Sequence, residues 1–177
     1  MGESILVLGG IRSGKSRLAQ RLAAEYPPVT YLATATVDRA DPEMVARIER
    51  HQADRPESWT TQEVPRDLDV VLPAIVATEG SVVIDCVTLW ISNLLLGLGN
   101  GAALADSEIL DAVVRAVRAG RGQARVIWVS NEVGSSLVST NALARRFADL
   151  QGMANQRLAE ECDAVHLSVA GLSIRLK

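Results

Sequence analysis

The segment Gly9-Gly10-Ile11-Arg12-Ser13-Gly14-Lys15-Ser16 decides the reading of this chain. It matches G-x-x-x-x-G-K-[ST], and a chance match of those four fixed positions somewhere in the chain is on the order of one in a hundred or rarer. Before it, Ile5-Leu6-Val7-Leu8 is a short apolar run that reads as a β-strand. After it, Ser16 to Ala24 is rich in helix formers, with an apolar face of Leu18, Ala19, Leu22 and Ala23. Strand, glycine turn and helix in that order bring successive backbone amides and the positive end of a helix around an anion. In such a loop Lys15 is expected to reach the β- and γ-phosphates of a nucleotide and Ser16 to hold Mg²⁺.

Working outward, Val82-Val83-Ile84 is a fully apolar strand that ends at Asp85. An acidic residue at that place is expected to hold the same Mg²⁺, directly or through water. Further strands are expected at Val29–Ala33, Val126–Val129 and Val165–Val169. Helices are expected from Asp41, a suitable N-cap before Pro42, to about His51, over Leu104–Gly120, and from Asn141 onward. Strands with little polar alternation, separated by helices, predict an α/β protein: a mainly parallel sheet covered by helices on both faces. Ser173 to Leu176 is expected to form a C-terminal antiparallel hairpin with the strand before it. Gly97 to Ala103 reads as a glycine-rich loop, and one nucleotide-binding domain over residues 1–177 accounts for the sequence.

The chain has 177 residues, 48% hydrophobic and 22% charged, a globular composition. Its 18 Lys+Arg against 21 Asp+Glu give a formal charge of −3, which argues against a general nucleic-acid binder. Cys86 and Cys162 lie far apart in apolar segments without CxxC or Cys/His spacing, as expected of buried thiols in a reducing compartment. No apolar stretch reaches the roughly 18 residues that suggest a membrane span, and the N-terminus lacks a basic leader. A cytoplasmic protein is the expectation.

The chain has two histidines. His166 lies inside an apolar strand and reads as packed or edge-exposed. His51 ends the Asp41 helix one turn after Arg47, and on residue physics alone it reads as a surface or capping side chain. Its surroundings change that reading. Glycine loop 9–16, Tyr31-Leu32-Ala33-Thr34-Ala35, Glu43-Met44 with Arg47-Ile48 and His51, Arg55-Pro56 with Trp59, and Asn131-Glu132-Val133-Gly134 occur together. With Asn141, Leu143-Ala144-Arg145, Phe147-Ala148-Asp149, Gly152, Asn155-Gln156 and Ala170-Gly171, this set resembles the bifunctional adenosylcobinamide kinase/adenosylcobinamide-phosphate guanylyltransferase family of cobalamin biosynthesis.

The resemblance implies a RecA-like P-loop NTPase fold and two reactions. ATP or GTP phosphorylates the aminopropanol hydroxyl of adenosylcobinamide, and GMP from GTP then passes through a guanylylated histidine, which falls on His51, to give adenosyl-GDP-cobinamide. An imidazole is a competent nucleophile near pH 7, and Lys15 with Mg²⁺ is suited to neutralise the pyrophosphate leaving group. The implied nucleotide contacts are Gly9, Gly10, Ile11, Arg12, Ser13, Gly14, Lys15 and Ser16, then Thr34, Ala35 and Thr36, then Gln52, Ala53, Asp54 and Arg55, with Glu63 and Asp85. Arg47 or Arg55 is suited to steady the α-phosphate. Guanine selection needs an acceptor facing the ring N1–H and the amino group; Glu63 is the choice by family position, with Asp54 next. The family also implies a homo-oligomer, a trimer with subunit contacts near the site.

Some positions depart from the pattern or stay open. After Gly134 the family runs through a further glycine and a proline, whereas this chain has Ser135-Ser136-Leu137-Val138-Ser139. Trp90 with Leu94 to Leu96 reads equally as an apolar corrin platform, a subunit contact or core. Arg145 and Arg146 read as phosphate ligands or as a solvated helix face. Two other functions fit the loop: a single-function small-molecule kinase, and a nucleotide-dependent regulatory module, although no Asn-Lys-x-Asp guanine motif is present.

Overall fold

Alternating apolar side chains on the first strand already divide the protein into two layers. Ile5 and Val7 point to one side of the sheet and Leu6 and Leu8 to the other, and each pair is buried in a different core cluster. The computed structural model describes residues 2–36, 55–135 and 137–177. The helix expected over Asp41–His51, together with Gln52, Ala53 and Asp54, lies outside the described residues.

Among the described residues seven strands form one sheet: β1 (Ser4–Gly9), β2 (Val29–Ala33), β3 (Thr60–Glu63), β4 (Ser81–Asp85), β5 (Arg125–Asn131), β6 (Ala164–Val169) and β7 (Leu172–Arg175). Their spatial order is β3-β2-β4-β5-β1-β6-β7. Every neighbouring pair is parallel except β6 and β7, which form the expected antiparallel hairpin. The helices are α1 (Lys15–Ala24), α2 (Leu68–Ile75), α3 (Val87–Leu96), α4 (Asp106–Ala119) and α5 (Ala142–Glu161). Helix α1 covers the Ile5 face through Leu18, Ala19 and Ala23. Helices α2 to α5 cover the Leu6 face through Leu72, Trp90, Val113, Leu150 and Leu158. Each such leucine or valine removed from water contributes roughly 1.5–3 kcal/mol before entropy is counted.

Helix limits follow local chemistry. The Asn141 Oδ1 accepts from the backbone N–H of Leu143 at 2.9 Å and of Ala144 at 3.2 Å, so it caps α5 as its sequence position predicts. Gly97 ends α3 in the left-handed region at φ 68°. Trp90, Leu94 and Leu95 on α3 are buried, which settles their role as core; the Trp90 indole N–H donates to the Arg66 carbonyl. A corrin platform or subunit contact built on them is therefore corrected, and only Leu96 of that group is exposed.

Candidate active site

Two glycines of the loop after β1, Gly9 and Gly14, sit where a side chain would crowd its neighbours. Gly14 has φ 96°, and a Cβ there would come within 3.0 Å of the Gly171 Cα in the β6–β7 turn. That turn is tied to the loop: Gly171 N–H donates to the Ser13 carbonyl at 2.8 Å. Ser13 N–H donates to the Gly10 carbonyl, while its own buried hydroxyl has no hydrogen-bond partner. Lys15 opens α1 and is buried, with its Nζ 3.3 Å from the Gly10 carbonyl. No acidic residue sits in the first turn of α1, so the helix end and Lys15 act with one sign of charge. Ser16 is half-buried in that turn, whereas Ile11 and Arg12 are exposed.

Three strand ends, with Arg55 beside them, carry the remaining described candidates. Glu63, Ala33 and Asp85 stand in register at the carboxyl ends of β3, β2 and β4. The Asp85 Oδ2 accepts from the Tyr31 hydroxyl at 2.8 Å. Burial, and next the nearby Asp85 charge, raise the Tyr31 pKa far above the usual phenol value, so the hydroxyl keeps its proton and stays a donor. The Arg55 guanidinium stacks 3.6 Å above the Tyr31 ring, and Trp59 lies 6.5 Å from that ring on a tilted plane. Arg55 donates weakly to Thr61 Oγ1 at 3.3 Å, and its Nε is buried without a partner.

Thr34 is fully buried, and its hydroxyl is committed to the Cys86 backbone, donating to the carbonyl at 2.7 Å and accepting from N–H at 2.9 Å. Asn93, on α3, donates to the carbonyls of Thr34 at 2.7 Å and Pro65 at 2.9 Å. Thr36 donates to Asn93 Oδ1 at 3.4 Å, while Ala35, like Thr36, is half-buried. Asn93 was not singled out from the sequence. An amide beside Ser92 in the largely apolar stretch Leu89–Leu96 is the available signal, because a buried amide must find partners.

Strand β5 separates β1 from β4, and its end carries a polar cluster. Asn131 N–H donates to Thr88 Oγ1 at 2.9 Å, and Glu132 N–H donates to the Gly9 carbonyl at 3.1 Å. Asn155, buried on α5, donates from Nδ2 to Glu132 Oε1 and to the Asn131 carbonyl, both at 3.1 Å. Its Oδ1 accepts from Ser130 Oγ at 2.6 Å and from Gln151 Nε2 at 3.0 Å.

The structure therefore gathers residues 9–16, 34–36, Arg55, Glu63 and Asp85 along the carboxyl edge of the sheet, where open α/β sheets place ligands. His51, Gln52, Ala53 and Asp54 lie outside the described residues. His166 pairs across β6–β7 with Arg175 and is in register with Val7, two residues short of the loop. Desolvation and then Arg175 lower its pKa. Arg145 donates to the carbonyls of Ser139 and Thr140, and Arg146 pairs with Asp106 at 2.6 Å.

A glycine loop closed on a buried lysine, one strand away from a strand ending in aspartate, defines a P-loop NTPase-type nucleotide-binding protein. Solved structures share this architecture. A type III secretion ATPase, EscN from enteropathogenic Escherichia coli, aligns with a TM-score of 0.57 at 11% identity, over 96% of this chain and 43% of that one. A second, prototypical type III secretion ATPase aligns with a TM-score of 0.58 at 11% identity, over 99% and 57%. This chain thus spans about half the length of each, and the likeness is one of fold. The sequence is more specific: residues 5–176 match the model of the CobU family, cobinamide kinase/cobinamide phosphate guanyltransferase, and the chain belongs to that family. It is 40% identical to the bifunctional adenosylcobalamin biosynthesis protein CobU of Salmonella typhimurium, over 98% of this chain and 99% of that protein. It is 43% identical to the corresponding protein CobP of Pseudomonas aeruginosa, over 97% and 96%.

Proposed function

We propose that one phosphate site serves two successive transfers on a corrinoid acceptor. In the first, a nucleoside triphosphate donates its γ-phosphoryl group to the hydroxyl of adenosylcobinamide. In the second, His51 attacks the α-phosphorus of GTP, pyrophosphate leaves, and GMP passes from His51 to the new phosphate ester. The observation that carries this reading is the buried Lys15, on a helix that packs against the Asp85 strand, in a chain of this family.

The residues divide the work by position. Backbone amides of 9–16 and the Lys15 ammonium neutralise the phosphates that leave in either reaction. Ser16 and Asp85 offer a hydroxyl and a carboxylate, hard oxygen donors that suit Mg²⁺, and α1 packs against β4. Among the described residues no three His, Cys, Asp or Glu side chains gather as a metal cage. When bound, Mg²⁺ supplies charge neutralisation at the phosphate oxygens. Arg55 is held face-on by Tyr31, and its unpartnered Nε–H suits an α-phosphate oxygen. Glu63 is suited to accept from N1–H and the amino group of guanine at once. Thr34 holds the Cys86 backbone, so 34–36 serves the nucleotide through its backbone and outer residues. By family position Gln52, Ala53 and Asp54, which follow His51 in the sequence, are further nucleotide contacts.

The seven described strands in one sheet support a single nucleotide-binding unit over 1–177. No helix of the described residues is long and apolar enough to cross a membrane; a cytoplasmic site of action is proposed from the biosynthetic role of the relatives. Exposed Val169, Leu172, Ile174 and Leu176 on the terminal hairpin support a homo-oligomer, a trimer by family. Incubation with α-³²P-GTP tests the nucleophile. The unaltered protein takes up acid-labile label, His51→Ala takes up none, and both phosphorylate adenosylcobinamide; label on the alanine variant rejects the assignment.

A further inference from the structure

Three carboxylates stand at, or one residue past, the carboxyl ends of the parallel strands among the described residues: Glu63, Asp85 and Glu132. The proposed function uses the first two. Glu132 differs from both in its setting. Its backbone is tied to the first residue of the phosphate loop, through N–H to the Gly9 carbonyl at 3.1 Å. Its carboxylate is held by Asn155, which is itself buried and fixed by Ser130 and Gln151. An exposed carboxylate anchored on one oxygen by a rigid amide is preorganised rather than merely solvated.

The placement matters for in-line transfer. Lys15 approaches the end of β1 from the α1 face, with its Nζ at the Gly10 carbonyl. Asn155, the residue that holds Glu132, belongs to the helix layer on the opposite face. Phosphoryl transfer needs the incoming oxygen and the leaving oxygen on opposite sides of phosphorus. Glu132 also lines a cleft of about 420 Å³ with Leu8, Gly152, Gln156 and Val165. That mostly apolar, open cleft has room for an alkyl arm carrying a hydroxyl.

We propose that Glu132 is the proton acceptor of the phosphorylation step, with the aminopropanol arm of the acceptor entering along this cleft. The hydroxyl oxygen forms its bond to the γ-phosphorus as the bond from that phosphorus to the β-bridging oxygen breaks. The hydroxyl proton passes to the Glu132 carboxylate, and the nucleoside diphosphate departs with the electron pair. Guanylyl transfer has a phosphate ester as acceptor, which carries no such proton, so it does not use Glu132.

This assignment rests on the kinase half of the proposed function, and the bifunctional chain lets the two be separated. Glu132→Gln keeps the acceptor atom for Asn155 and removes only the basic oxygen. Phosphorylation of adenosylcobinamide and GMP transfer to supplied adenosylcobinamide phosphate are measured side by side. The expected result is a fall in kcat for phosphorylation of ~10²-fold or more, with KM for both substrates and the rate of GMP transfer little changed. Glu132→Asp recovers part of that loss. A fall of less than about tenfold, or equal loss of both reactions, overturns the role of Glu132 while leaving the kinase reading intact. No phosphorylation by the unaltered protein, with GMP transfer retained, overturns the kinase reading and this assignment together.

Discussion

Asp85, Tyr31 and Arg55 form a stack in which each side chain fixes the next: guanidinium over ring, ring hydroxyl onto carboxylate. Tyr31 was legible only as part of a family segment. Physically it was already marked, because a tyrosine inside a buried strand must find a partner for its hydroxyl. The thiols show the opposite case, chemistry suppressed by burial. Desolvation, and at Cys86 next the Asp85 charge, push both Cys86 and Cys162 from 9.0 up to about 11. A raised pKa means the folded state holds these protons more tightly than the unfolded chain. Stability from this source is intact below pH 9 and falls as pH rises from about 9 to about 11, by up to ~1.4 kcal/mol per pH unit for each thiol. Urea melts between pH 8 and 11 check the slope, and a thiol reagent at pH 8 should titrate neither cysteine until denaturant is added.

At the scale of elements, the glycine loop, its flanking β1 and α1, and β4 with Asp85 were readable because local chemistry dictates them. Helix α3 was not. Its residues are buried nearly all round, so no apolar stripe marks a period of 3.6. Strand β3 is exposed and polar throughout and exists through backbone pairing with β2. Helix α2 is short and has Pro73 inside it, which breaks the usual helical signal. The site depends on these unread pieces, since α3 carries Asn93 and β3 carries Glu63. Asn93 ties the outgoing end of β2 and the Pro65 carbonyl to α3. Asn93→Leu therefore leaves a buried and a part-buried carbonyl unpaired and should cost about 2–4 kcal/mol in chemical denaturation. Where it still folds, nucleotide affinity measured by equilibrium dialysis should fall, because residues 34–36 lose their clamp. Unchanged affinity would remove that segment from the nucleotide site.

For the whole molecule, the C-terminal hairpin joins two matters that look separate, assembly and phosphate binding. Strand β7 is exposed at all four residues and sits at the sheet edge, where Leu172 and Ile174 present apolar side chains to solvent. Such an edge invites pairing or burial. The turn before it donates a hydrogen bond to Ser13 and packs against Gly14. A second subunit covering the hairpin, as proposed, would thus brace the phosphate loop. Leu172→Glu with Ile174→Glu changes only exposed side chains, so the melting temperature of the isolated subunit should hold within a few degrees. Sedimentation should show a shift from oligomer to monomer, since charge on a buried contact is costly. If the brace operates, KM for nucleotide rises in both transfers together, unlike the Glu132 variant, which separates them. An oligomer that survives the double substitution would place the subunit contact elsewhere and leave the hairpin as a strut within one chain.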